Sequence, residues 1–463
     1  MDGGWRRIEP ETQAWVNTLT VVLLFLTIYY FIAGIPEFHH ADTGGAEVST
    51  DAVDPVHRFA WVGLFAAAIP IAWMRWRQVF GLLAGAWPLL LLYVYFACSI
   101  TWALDPDVAF RRLFLGTLQL LLVAALVSGL RRAATLHILI AGACILGAGL
   151  DVLSMAVPSL SFADDGFVGL QSQKNQAGLL MMYGCLAAGT AYFLVESRLL
   201  RAGLAASVVM MFGLLILTRS TTSQSVVLMT PFLMPAILIV SRFGGAGIWA
   251  VVMAIVAVLA AGAFGYIAWC AVTGADPWLP MRGVTFTMRT DIWEFVLEEI
   301  GKRPWFGVGY SSFWAINPAI QPSLKSDMWF GTYAIINEAH NGYLDLLVSL
   351  GVVGLVLGLF VVFRAIGQAG RAIVGTEPIG TAWVTGQMAH PTAVFHLALL
   401  LGLLVHNFTE SNLFTSNTGL VVAFLVTALD LQKWRNAKWA PAPVRYPNPA
   451  AARPPRPQAP QAG

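Results

Sequence analysis

The chain is a succession of long apolar runs separated by short polar breaks. A helix that crosses a bilayer needs about 20 mostly apolar residues. Runs of that length predict about twelve spans, near 14–34, 56–74, 80–100, 113–130, 134–157, 176–195, 201–218, 224–241, 246–271, 341–364, 390–407 and 414–432. His396 and His406 interrupt the eleventh, and only Arg219-Ser220-Thr221-Thr222-Ser223 separates the seventh from the eighth. Two stretches break the pattern. Residues 272–340 form the one large loop, and Ala440 to Gly463 is rich in proline and alanine, with too few apolar side chains to pack a core. The expected fold class is an all-α polytopic integral membrane protein with one large loop on the non-cytoplasmic side. The chain then divides into a membrane domain over 1–271, the loop 272–340, a second membrane domain over 341–436 and a disordered cytoplasmic tail over 437–463.

Loops as long as 272–340 are uncommon unless they are functional. Inside it, Met288 to Ile300 has helical periodicity, with Ile292, Phe295, Val296 and Ile300 on one face and Arg289, Asp291, Glu294, Glu298 and Glu299 polar. Thr287 suits its N-cap, Arg303-Pro304 stops it, and Gly307-Val308-Gly309-Tyr310 turns. An amphipathic helix of this kind lies on the membrane surface or caps a cavity.

Composition and charge sharpen this picture. The 463 residues are 57% hydrophobic and 11% charged, with mean hydropathy +0.70. Soluble proteins carry about 25% charged residues. The net charge of +2 offers nothing to nucleic acid. Met1 to Thr12 is polar and the first apolar run lacks a small-residue exit, so no cleaved signal peptide is expected. Cys98, Cys144, Cys185 and Cys270 fall in apolar runs without metal or redox spacing. Arginines and lysines in alternate loops mark the cytoplasmic side: Arg6/Arg7, Arg75/Arg77, Arg131/Arg132, Arg198/Arg201, Arg242, Arg364/Arg371 and Lys433/Arg435/Lys438. Both termini are then cytoplasmic. Arg111, Arg112, Lys174, Arg219, Arg282, Arg289, Lys302, Arg303 and Lys325 sit on the far side against the rule.

Several polar clusters collect on that far side. Asn337-Glu338-Ala339-His340-Asn341 enters the tenth span. His340 can take a proton from a hydroxyl nucleophile, with Glu338 or Asn341 orienting its ring; equally, Asn337 or Asn341 caps the helix and His340 is merely interfacial. Arg219 can hold a phosphate by bidentate bonds, or snorkel to lipid phosphate. Arg289, at a helix N-terminus, conflicts with the macrodipole unless it shares an anion with that terminus or pairs with a loop carboxylate. Arg303, beyond the end of that helix, reads first as an ion-pair partner. Lys174 and Asn175, within Gln171-Ser172-Gln173-Lys174-Asn175-Gln176, offer amides for sugar hydroxyls and a cation for phosphate, or ordinary interfacial polarity. Glu410, within His406 to Asn412, can orient one of the arginines, bind hydroxyls or form a structural pair. The loop aromatics Trp278, Trp293, Trp305, Phe306, Tyr310, Phe313, Trp314, Trp329 and Tyr333 suit an interface belt or sugar stacking. No nucleotide fingerprint appears, and no ligand spacing calls for a metal or a cofactor.

Together these residues resemble the O-antigen ligase and exopolysaccharide polymerase superfamily of bacterial inner-membrane glycosyltransferases. The resemblance rests on Glu338-Ala339-His340-Asn341-Gly342-Tyr343-Leu344 followed by Leu350-Gly351-Val352-Val353-Gly354. It extends to Arg289-Thr290-Asp291-Ile292-Trp293 with Arg303-Pro304-Trp305-Phe306-Gly307-Val308-Gly309, to Lys174-Asn175, and to Asn407-Phe408-Thr409-Glu410. The histidine that precedes the lysine in the exopolysaccharide branch is Gln173 here, so that position receives no catalytic role. The resemblance makes the large loop a periplasmic loop and implies metal-independent, inverting transfer at the periplasmic face of the inner membrane. The donor is an undecaprenyl-diphosphate-linked glycan. The acceptor is a lipid-linked glycan for a polymerase, the favoured branch, or a lipid A core for a ligase, beside other polysaccharide-assembly proteins. It carries His340 over as base or acceptor-orienting residue and Arg219, Arg289 and Lys174 as diphosphate ligands, with Glu338, Asn341, Asn175, Glu410 and Arg303 in support. The rival from another class is a secondary transporter or lipid-linked glycan flippase, which twelve spans with both termini inside also suit.

Overall fold

The computed structural model describes residues 10–34, 55–163, 166–230, 244–276, 289–332, 336–375, 388–414 and 419–436. The acidic segment 37–54, the Asp164/Asp165 pair, the end of the eighth span beyond 230, Arg282, the Thr287 cap, Trp278, Tyr333 and the tail 437–463 lie outside these residues.

The described chain is almost wholly helical. Its helices are α1 (Pro10–Ile28), α2 (Pro55–Met74), α3 (Trp76–Gly85), α4 (Trp87–Ser99), α5 (Pro106–Gly129), α6 (Ala133–Ser154), α7 (Lys174–Leu194) and α8 (Arg198–Leu217). There follow α9 (221–230), α10 (Gly244–Thr273), α11 (Arg289–Lys302), α12 (Gly342–Val374), α13 (His390–His406) and α14 (Gly419–Arg435). A two-strand ribbon pairs Phe162–Ala163 with Gly166–Phe167. Among the described residues, six helical segments are long and apolar enough to cross a membrane, and a seventh follows if one bent pair counts as one span. That falls short of the twelve expected spans. Part of the difference lies in shorter apolar helices, α13 among them, and part in segments outside the description.

The bent pair corrects one expected boundary. The third span was expected over 80–100, but the chain turns by 96° between Phe59–Met74 and Trp76–Gly85 and starts a new helix at Trp87. Pro88 sits in the first turn of α4, where its missing N–H costs nothing and its fixed φ suits a helix start.

The helices bury one continuous apolar core that includes Leu24, Phe96, Leu122, Leu126, Tyr183 and Phe424. Segment 289–340 builds a second, smaller core from Ile292, Phe295, Val296, Val308, Phe313, Trp314 and Phe330, joined to α12 through Val348. The apolar face expected on α11 is thus real, and it is buried in the loop's own core. Trp293, Tyr310, Phe313 and Trp314 are buried as well, while Trp305 and Phe306 stay exposed. Most of these aromatics are packing residues.

Two of the loop's fastenings to the bundle stand out. The Arg112 guanidinium donates to the carbonyls of Ser311, Trp314 and Ala315, which explains one arginine that broke the charge rule. Tyr310 stacks on Phe96 at 4.3 Å. The second fastening uses a break in α12. Gly351 has φ 65°, so the helical ladder opens there. The freed groups find partners outside the helix: Val352 N–H donates to Pro304 O at 2.9 Å and Tyr95 OH donates to Leu350 O at 2.7 Å. A Cβ on Gly351 would lie 2.2 Å from the Trp305 carbonyl carbon, so only glycine allows this approach.

The two ends of the bundle differ in chemistry. At one end, Arg75 donates to Asn17 Oδ1, Arg364 to Gly85 O and Gln432 Oε1, and Lys433 to Val127 O and Leu130 O. The other end carries 169–175, 219–223, 338–345 and 406–412.

Candidate functional site

Four chain segments meet on Thr409 and Glu410, just past the C-terminus of α13. Arg289 opens α11 and donates to Glu410 Oε1 at 2.9 Å and to Thr409 O. Asn175, in the first turn of α7, donates to the same Glu410 oxygen at 2.8 Å. Thr222 and Thr409 share a hydroxyl hydrogen bond of 2.6 Å, which brings in the 219–223 turn. His340 Nδ1 lies 2.8 Å from Glu338 Oε1 and 3.5 Å from Glu410 Oε2.

The electrostatics follow from this crowding. Burial opposes the charged imidazole, but Glu338 and Glu410 outweigh it and raise His340 to about 9. Burial likewise opposes the Glu410 carboxylate, and His340 and Arg289 outweigh it, holding Glu410 below its usual range. His340 and Glu410 thus hold each other in their charged forms, with the Arg289 guanidinium beside them.

Local structure explains how His340 is held. Its backbone is left-handed, φ 49°, a conformation that costs an L-residue about 1–2 kcal/mol. The residues on either side are fixed. Ala339 N–H donates to both Asp345 carboxylate oxygens, at 3.2 and 3.1 Å, and Ala339 O accepts from Trp293 Nε1 at 2.9 Å. Asn341 N–H donates to Ser411 Oγ at 3.1 Å. Asn341 Oδ1 accepts from Tyr343 and Leu344 N–H, so this side chain is the N-cap of α12 and is committed to capping. Asp345 also accepts from Trp314 Nε1 at 2.5 Å, which ties His340 to the core of the loop.

The expected site residues fall into three groups. Arg289, Glu338, His340, Glu410 and Asn175 converge directly. Lys174 precedes Asn175 at the start of α7, and Arg219 lies three residues before Thr222. Arg219 is exposed, with φ 54°, and its guanidinium has no hydrogen-bond partner among the described residues. Arg303 stands apart. It lies past the far end of α11, about 20 Å from Arg289 at the rise of an α-helix, and is exposed. Sequence reasoning gave no role to Asp345, Thr222, Thr409 or Ser411. For Asp345 the signal was present, a carboxylate in the first turn of α12. The hydroxyls had none, because their partners are distant in sequence.

Glu338, His340 and Glu410 bring one ligand atom each within 4.8 Å of one another, a donor set with the types a metal would accept. Their charges fit a metal poorly. The Arg289 guanidinium already holds one Glu410 oxygen and puts a fixed positive charge beside the donor set.

A cavity of about 350 Å³ adjoins the cluster, bordered by Glu338, Glu410, Ser411 and Asn412 and by the 171–176 loop.

This chain is similar to a known family and to a known protein. The family model described as O-Antigen ligase matches residues 206–359, a window that holds Arg219, Arg289 and His340. The exopolysaccharide production protein ExoQ of Rhizobium meliloti (strain 1021) is 30% identical over 331 residues, which is 68% of this chain and 72% of that protein. With the polar cluster at the entry of α12 and the apolar helices around it, these matches make the chain a member of the O-antigen ligase and exopolysaccharide polymerase superfamily.

Proposed function

We propose that this membrane protein, whose family assigns it a polysaccharide polymerase or ligase role, is an exopolysaccharide polymerase acting on polyprenyl-diphosphate-linked glycans. The observation that carries the reading is the convergence of Arg289, His340, Glu338, Asn175 and Glu410 on one end of the bundle. That end lies away from the Arg75, Arg364 and Lys433 set, which supports a periplasmic site and cytoplasmic termini in the inner membrane. The division into membrane domains over 1–271 and 341–436 around the loop 272–340 follows from the same orientation.

In this reading the diphosphate of the donor docks on Arg289, with Arg219 and Lys174 beside it. Fixed cations stabilise a leaving group whose negative charge grows as it departs. The acceptor hydroxyl oxygen forms a bond to the anomeric carbon while the bond from that carbon to the phosphate oxygen breaks. The electron pair leaves on the polyprenyl diphosphate, and a single displacement inverts the anomeric centre. His340 is protonated at neutral pH, so it acts as the acceptor-orienting cation, and a Glu338 oxygen takes the hydroxyl proton. The charges around His340 favour a metal-independent reaction. The ExoQ match favours the polymerase over a ligase acting on lipid A core, and family membership weighs against a transporter or flippase.

The test uses the full chain in proteoliposomes with a lipid-linked glycan and no nucleotide or ion gradient. Longer lipid-linked glycan is expected from the wild type, and loss of product from His340→Ala and Arg289→Ala. Chelator is expected to leave the rate unchanged. A wild-type chain that moves the glycan across the bilayer without lengthening it would overturn the reading.

A further inference from the structure

The roles proposed so far use the rim of the cavity and leave its interior unassigned. Its volume of about 350 Å³ falls in the range of small-ligand sites, about 300–1,000 Å³. Its walls are of two kinds.

One wall comes from the end of α1. There the helix widens into a π turn over Tyr29–Ala33, closed by Gly34 N–H on Tyr29 O at 3.2 Å. Such turns recur at functional sites. This one places Tyr30 and Phe31 on the cavity, with Trp61 set edge-on to Phe31 at 5.0 Å.

A second wall is the 171–176 loop, which meets the first where Gly34 approaches Gln171 and contributes the amides of Gln171, Gln173 and Asn175. This loop is anchored from within the bundle. The buried Asp151 Oδ1 accepts from Leu170 N–H at 2.8 Å. Gly169, φ 60°, passes so close that a Cβ would lie 2.4 Å from the same carboxylate oxygen.

Charge decides what this space accepts. Glu338 and Glu410 border it, and its described lining contains no lysine or arginine. With Glu338 and Glu410 each already paired to His340 or Arg289, a diphosphate or a uronate finds no unpaired cation in that lining to hold it. Amides offer both donors and acceptors to hydroxyls, and aromatic faces take the C–H face of a sugar ring.

We infer that this cavity is the subsite for the terminal sugar of the acceptor, an uncharged hexose, with the Tyr30 wall stacking on the ring and the Gln171–Asn175 wall reading its hydroxyls. The inference rests on the proposed transfer reaction and specifies where its acceptor sits. Held there, the sugar presents a hydroxyl to Glu338. Asp151 is then a positioning residue that fixes the amide wall from behind.

The test is saturation-transfer NMR on the full chain in nanodiscs. The probes are the methyl glycosides of glucose, galactose and mannose, methyl glucuronide, and inorganic diphosphate. At least one neutral glycoside is expected to bind the wild type, and methyl glucuronide is not. Tyr30→Ala and Gln173→Ala should each weaken the neutral glycoside by about tenfold, while Tyr30→Phe retains it. Diphosphate binding should be unchanged in all three, which also shows that the variants are folded. Absence of neutral-glycoside binding, equal binding of the glucuronide, or indifference to both alanine variants overturns the subsite. Failure of the transfer reading has a different signature: glycoside binding intact, with no lengthening of a lipid-linked glycan by the wild type.

Discussion

Arg289 and Glu410, 121 residues apart in the chain, meet as an ion pair of 2.9 Å with side chains only 16% and 10% exposed. The pair joins the first residue of the loop helix to the end of α13, and Asn175 shares the same carboxylate oxygen. Removing one partner strands the other charge in a largely dry site. Glu410→Ala is expected to lower stability on the order of 3 kcal/mol and to abolish glycan lengthening. A double-mutant cycle with Arg289→Ala should return a coupling of about 1–3 kcal/mol. Additive losses in thermal unfolding would mean that the two residues act independently.

The protonation of His340 makes stability depend on pH. Its folded pKa of about 9 exceeds the unfolded value of 6.5, so folding binds a proton and the stabilisation is complete below pH 6.5. It is lost as the pH rises through about 9. Glu410, held below its ordinary value of 4.5, contributes in the opposite sense: its share is present above that value and fades as the pH falls. The difference in melting temperature between wild type and His340→Ala should shrink steadily from pH 6.5 to 9. A constant difference across that window would contradict the charged form.

Asp345 tests whether the posture of His340 matters. Its carboxylate holds Ala339 N–H and Trp314 Nε1 without touching the imidazole. Asp345→Ala frees the backbone before His340 and is expected to cost about 1.5–3 kcal/mol. Glycan lengthening should fall more than stability, because the left-handed residue loses its support. Asp345→Asn, which keeps an acceptor, should recover part of both. Equal activity in wild type and Asp345→Ala chains would show that the anchor is only structural.

Gly351 tests the docking of the loop. A Cβ there meets the Trp305 backbone at 2.2 Å and sits at φ 65°. Gly351→Ala should cost at least about 1–2 kcal/mol from conformation alone, and more from the clash. Limited proteolysis should then cut first within 303–325, where the loop leans on the open ladder of α12.

A last prediction concerns the opposite end of the bundle. His396 Nε2 and Asp430 Oδ2 lie 2.9 Å apart with both side chains 0% exposed. Asp430→Ala leaves the imidazole without its partner and should destabilise the fold by about 1–3 kcal/mol. Glycan lengthening per folded molecule should stay near the wild-type rate, since the pair lies far from His340.

Periodicity and composition alone placed most helices and named the polar segments 171–176, 219–223, 337–341 and 406–412. Apolar runs of bilayer length admit one backbone solution, because unpaired peptide groups in hydrocarbon are too costly. The same reasoning misplaced the third span. A hydropathy reading averages over the sharp turn at Arg75 and the Pro88 helix start, which are set by single residues. It also left the loop aromatics open between belt and binding. Burial made Phe313 and Trp314 core residues, since the segment needed a core of its own.

What the sequence by itself determined is the class of the protein, the side of the bundle on which its polar residues gather and the residue types present there. Those follow from local hydropathy and charge, which need no partner. Tertiary structure decided which of them act together. It brought Asn175, Arg289, Glu338 and His340 to Glu410, committed Asn341 to capping and left Arg303 at the far end of α11. It also set the protonation of His340, because a pKa depends on neighbours within a few ångströms and those neighbours come from segments that only folding joins.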